Sequence, residues 1–148
     1  MTARLVMKLR VQDVQPYAPG VFTTTYGNQT ILVAVRSDGS YVSPTNPAHQ
    51  GETIYVFVTG LGQTSPAANT NQPGAGQAVT AAVVTGLNNA GVPHGAVTYA
   101  TGLVGVYIVA VQVPQTAQTG PNKPFGFIVY DDAGNQFYAQ STYLPISQ

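Results

Sequence analysis

Thr53-Ile54-Tyr55-Val56-Phe57-Val58, followed at once by Thr59-Gly60-Leu61-Gly62, is the stretch that decides the fold. Every residue from Thr53 to Val58 is β-branched or aromatic, the types that fit a pleated and partly covered surface. Laid out with a period of two, the run is apolar on both faces. It is too short for a helix and is stopped by paired glycines, so it reads as a central strand.

The same pattern recurs in both directions. Toward the C-terminus, residues 78–85, 96–100, 106–113, 125–130 and 136–144 are strand-like. Asp131-Asp132-Ala133-Gly134-Asn135 supplies a hairpin connection with Gly where a bulge needs it. Toward the N-terminus, residues 29–36 alternate and meet Ser37-Asp38-Gly39-Ser40, whose Asp-Gly pair suits a tight turn, with Tyr41 and Val42 starting the return. Pro44 and Pro47 make residues 43–51 a loop. Residues 63–77, rich in Asn, Gln, Ala, Pro and Gly, form the longest uncommitted segment, and loops of that length are usually functional or mobile. Nowhere is a helical period sustained. Eight or nine short strands with Gly- and Pro-rich turns predict an all-β, antiparallel sandwich rather than an α/β fold.

The first strand-like segment differs from the rest. In residues 3–12, Leu5, Met7, Leu9 and Val11 share one face, while Arg4, Lys8, Arg10 and Gln12 share the other. Pro16, Pro19 and Gly20 then punctuate the chain, which predicts an N-terminal strand over residues 1–14 ahead of a sandwich over 15–148.

Composition narrows the function classes. The chain has 148 residues and is 7% charged, against about 25% in an average soluble protein. Its five basic and five acidic side chains cancel, leaving no field to gather nucleic acid. So small a charge gives little colloidal repulsion, which favours association between copies. With no Cys there are neither disulfides nor thiolates. No apolar run has the length of a membrane-spanning helix, and residues 1–10 lack the apolar stretch of a signal peptide; an export signal, if the protein uses one, was removed or lies upstream.

The chemical motifs are weak. His49 and Glu52 stand three apart and His94 lies elsewhere, short of the convergent ligands a metal site requires, so neither a metal nor another cofactor is expected. Asp131, Asp132 and Asn135 lack calcium-loop spacing and are explained by a turn. No nucleophile elbow occurs, and Gly74-Ala75-Gly76 lacks the Lys-Ser/Thr of a phosphate loop, so no enzyme is expected. Lys8 or Lys123 supplies only one ingredient of an isopeptide crosslink. Among the aromatics, Tyr55, Phe57, Tyr107, Phe125 and Phe127 are expected in the core. Tyr26, Tyr41, Tyr138 and Tyr143 are the expected surface set, available to stack on sugar rings.

Seven pieces in order carry a resemblance: Ala18-Pro19-Gly20-Val21-Phe22, Asp38-Gly39-Ser40, Asn46-Pro47-Ala48, Gly51-Glu52, Thr59-Gly60-Leu61-Gly62, Gly102-Leu103-Val104-Gly105-Val106-Tyr107 and Val111-Gln112-Val113-Pro114. From about residue 18 onward the chain resembles a family of C-terminal domains, abundant in Solibacter and related Acidobacteria, that end large secreted or surface proteins and have no established activity. The resemblance implies an immunoglobulin-like sandwich placed outside the cell or on its surface. Glycines at 60, 62, 102 and 105 are expected where positive φ or close backbone approach is needed. One departure stands out: Val106, Ile108 and Ala110 make apolar a face that the family keeps polar. That face is expected either to be covered or to contact another protein.

Two functions remain open at this point. The first is a non-catalytic structural module, possible as a filament, in which Leu5, Met7, Leu9 and Val11 add to the sheet of a neighbouring copy with Val106, Ile108 and Ala110 at the contact. The second is a monomeric adhesin or carbohydrate-binding domain using residues 63–77 and the surface tyrosines to hold surface glycans. A passive spacer is the third outcome.

Overall fold

The structure, a computed structural model, describes residues 17–68 and 71–148. Every regular element in them is a strand, and no helix is long and apolar enough to cross a membrane. The N-terminal segment predicted over residues 3–12, with Leu5, Met7, Leu9 and Val11, lies outside the described residues.

In chain order come β1 (Gly20–Val21), β2 (Thr23–Tyr26), β3 (Gln29–Leu32), β4 (Ala34–Val35), β5 (Ala48–His49) and β6 (Thr53–Thr59). They are followed by β7 (Thr64–Ser65), β8 (Ala78–Val79), β9 (Ala82–Leu87), β10 (Ala90–Val92) and β11 (His94–Tyr99). The last are β12 (Tyr107–Gln112), β13 (Gly120–Tyr130), β14 (Gln136–Tyr138) and β15 (Thr142–Ser147).

One antiparallel sheet runs β1-β6-β12-β11-β8-β7, with β4 sharing the β1 edge of β6. The central place predicted for residues 53–58 is the one β6 takes. A second sheet runs β10-β9-β13-β15-β5, with β14 continuing the β15 side of β13; its β15–β5 pair is parallel and the rest antiparallel. The β2–β3 hairpin stands apart as a small third sheet.

Alternation along the strands fixes which side is buried. Ile54, Val56 and Val58 of β6 and Val109 and Val111 of β12 join Val83, Leu87, Phe125, Phe127, Val129, Leu144 and Ile146 of the second sheet in one continuous core. The molecule is therefore sandwich-like, two layers closed on a shared apolar interior. Burying a side chain of this size contributes about 1.5–3 kcal/mol, which makes the core the main source of stability.

Turn chemistry joins the layers. Gly39 at φ 87° sits in the predicted Asp38-Gly39 turn, and Asn88 and Asn89 at φ 54° and 66° make the tight β9–β10 hairpin. The chain crosses from the first sheet to the second between β8 and β9, and returns at Pro93 between β10 and β11.

Five sequence expectations change. Residues 43–51, expected as a loop, include β5, which pairs β15, and residues 29–36 hold two strands, β3 and β4, in different sheets. β13 begins at Gly120 rather than 125, because a register irregularity between Gly120 and Lys123 accommodates Pro121, and the Pro124 carbonyl still accepts from Asn88. The strand predicted over 136–144 is two strands, β14 and β15. The described residues of the 63–77 segment are not uncommitted: β7 pairs β8, and the amides of Gly74 and Gly76 donate to the carbonyls of Leu103 and Tyr99.

Candidate functional site

The outward positions of β6 and β12 build a flat surface. With Ile54, Val56 and Val58 pointing in, Tyr55 and Phe57 point out, beside Ile108 and Ala110 of β12. Register places Phe57 against Ile108, and Tyr55 against both Ala110 and Val35. The Phe22 amide donates to the Phe57 carbonyl, extending the row to the sheet edge, where Phe22 is exposed. Tyr55 and Phe57 are thus half-buried by one another and by their neighbours rather than held in the core. The core expectation holds for Phe125 and Phe127. No charged side chain occupies an outward position of β6 or β12. Val106, Ile108 and Ala110 are likewise half-buried, and exposed Leu103 and Val104 adjoin them in sequence.

A second feature is a cleft of about 1030 Å³ at the side of the sandwich, walled by β1, the β2–β3 hairpin, the start of β13 and the β14–β15 connection. Gly27 at φ 60° turns the hairpin, which brings Tyr26 and Gln29 into cross-strand register. Gln29 Nε2 donates to the Pro121 carbonyl (2.6 Å) and to Asn122 Oδ1 (3.0 Å), tying the hairpin to β13. Tyr26, 39% exposed, and Tyr143, 45% exposed, line the cleft together with Gln140, Ser141 and Thr142. All the lining side chains are uncharged. Thr142 is only 6% exposed, and its Oγ1 has no hydrogen-bond partner among the described residues. A buried hydroxyl left in that state costs about 1–3 kcal/mol.

The surface tyrosines are thus divided. Tyr26 and Tyr143 share the cleft, whereas Tyr138 forms an outer row of the second sheet with Ile128 and Val84, and Tyr41 stands at the turn beside Val35. A smaller cleft of about 520 Å³ lies beside Tyr99 and Tyr107, whose rings stack with centroids 4.9 Å apart. Burial, and after it the neighbouring Tyr99, pushes the Tyr107 hydroxyl above its ordinary range, so it stays protonated and donates to the Gly62 carbonyl at 3.0 Å. Tyr99 donates to the Gln72 carbonyl and accepts from the Gly105 amide. These hydroxyls hold loops.

The other chemistry-bearing residues are spent locally. His49 Nδ1 contacts the Gln148 carbonyl and Ser147 Oγ, and the His94 ring lies between the carbonyls of Gly95 and Val83. Among the described residues no three of His, Cys, Asp and Glu converge. Asp131 accepts from the Asn135 side chain and from the amides of Ala133 and Asn135. Arg36 pairs with Glu52 and with no other acid, and Lys123 has no carboxylate partner among the described residues. Sequence reasoning missed Gln29, Asn122, Gln140 and Thr142; the one available signal was the Gly27-Asn28 turn, which places Gln29 opposite Tyr26. Compared with protein-family models, curated proteins and solved structures, the chain matches none.

Proposed function

We propose that the chain is a non-catalytic, extracellular structural module of immunoglobulin-like type that associates with copies of itself. The observation that carries this reading is the outer row of Phe22, Phe57 and Ile108 beside Val35, Tyr55 and Ala110, an uncharged apolar sheet face. Contiguous apolar surface of this kind marks protein contacts. A chain of zero formal net charge does little to oppose them. Residues 3–12 supply the second contact: Leu5, Met7, Leu9 and Val11 add along a sheet edge of the neighbour, where backbone hydrogen bonds give affinity and alternate side chains give register. Donor and acceptor surfaces differ, so the contact is heterologous and propagates into a filament. Extracellular placement rests on the resemblance to secreted C-terminal domains.

Size-exclusion chromatography with light scattering, together with electron microscopy, tests this on three chains: the full sequence, residues 15–148, and the full sequence carrying Ile108→Lys. Polymers are expected only from the first at low concentration. Ile108→Lys is expected to raise the concentration needed for assembly by about tenfold or more, because a charge enters the apolar face. A full-length chain that stays monomeric at high concentration overturns the reading and leaves a passive spacer.

A further inference from the structure

We infer that the lateral cleft between the β2–β3 hairpin and β15 is a binding site for neutral saccharides. This does not depend on the self-association reading, since the cleft and the apolar outer face use different residues.

Its volume of about 1030 Å³ is at the upper end of the range in which proteins hold small molecules. Its lining contains no charge: Tyr26 and Tyr143 offer half-exposed rings, and Gln29, Asn122 and Gln140 offer amides. Aromatic rings stack on the C–H faces of pyranoses, while a carboxamide carries both a donor and an acceptor, the combination that sugar hydroxyls require. A phosphorylated or acidic ligand finds no cation among the lining residues. The bond from Gln29 Nε2 to Asn122 Oδ1 uses one donor and one acceptor of that amide pair. Within this pair, the Oε1 acceptor of Gln29 and the Nδ2 donor of Asn122 are then the groups it presents to a ligand. The same bond preorganises the wall, so little ordering accompanies binding.

Titration calorimetry and amide NMR of the full chain with cellohexaose, xylohexaose and chitohexaose test the inference, with a sulfated oligosaccharide as the charged control. At least one neutral hexasaccharide is expected to bind, shifting the side-chain amide signals of Gln29, Asn122 and Gln140, while the sulfated sugar does not. Tyr143→Ala and Tyr26→Ala are each expected to weaken binding by roughly tenfold or more. No binding of any neutral hexasaccharide at millimolar concentration overturns the inference. So does binding that leaves those amide signals unmoved, or that survives both tyrosine substitutions in folded protein. Polymer formation by the full chain has no bearing on any of these outcomes.

Discussion

At Gly60 the backbone leaves room for no side chain. Its φ is 76°, and a Cβ there would meet the Ala18 carbonyl oxygen at 1.9 Å, because the Ala18 amide donates to the Gly60 carbonyl and holds the two backbones together. Gly60→Ala is expected to destabilise by about 3 kcal/mol or more, read as a lowered urea midpoint at unchanged slope. Arg36 is the opposite case, a charge with every direction used: it pairs with Glu52 and donates to the carbonyls of Asn46 and Pro47. Glu52→Ala leaves that guanidinium largely buried without its anion, at an expected cost of about 2–3 kcal/mol in the same measurement. Asp131 governs a pH response. Hydrogen bonds, first from the Asn135 side chain, hold its carboxyl below the usual carboxylate range. A lowered folded-state pKa contributes stability above the unfolded value of about 3.9, and that contribution is lost as pH falls through the folded value. Melting temperatures between pH 5 and pH 2 are therefore expected to fall less steeply in Asp131→Asn than in the parent.

Among the elements, length and neighbours set the order of stability. β6, β12 and β13 each have partners on both sides and contribute Ile54, Val56, Val109, Phe125 and Phe127 to the core. β2 pairs only with β3, and its residues are mostly exposed. In native-state hydrogen exchange the amides of β6, β12 and β13 are expected to exchange only on global unfolding, while those of β2 and β7 exchange through local opening. This element list was partly legible in the sequence. β6, β9, β11, β12 and the core half of β13 announced themselves by β-branched and aromatic runs. β3 and β4 fall within the alternating residues 29–36, but β2 did not announce itself, because Thr23-Thr24-Thr25-Tyr26 lacks an apolar face. β14 and β15 read as one strand because apolar alternation persists across a break that only pairing with β13 reveals.

For the whole molecule, the surface decides behaviour more than the core does. With 7% charged residues and an apolar sheet face, the proposed self-association rests on burial rather than on ion pairing. Assembly followed by light scattering is expected to be almost unchanged when sodium chloride is raised about tenfold, since screening acts only on charge. It is expected to strengthen in sulfate, which is excluded from protein surface. Assembly that dissolves in sodium chloride would instead point to the basic side of residues 3–12, with Arg4, Lys8 and Arg10, as the source of cohesion.

Taken alone, the sequence determined the all-β class and the central place of residues 53–58, and it marked glycines 60, 62, 102 and 105 for positive φ or close backbone approach, of which the structure shows positive φ at all four. These follow from period-two patterning and from steric limits that act within a few residues. It also flagged Ile108 and Ala110 as apolar outward positions, but placed Tyr55 and Phe57 in the core, because alternation gives two faces without saying which of them another layer covers. Tertiary structure alone decided that. It also decided that Tyr26, Gln29, Asn122, Gln140 and Thr142 meet in one cleft. They are brought together by a hairpin that leaves one sheet and packs at the edge of the other, a long-range closure that no local pattern encodes.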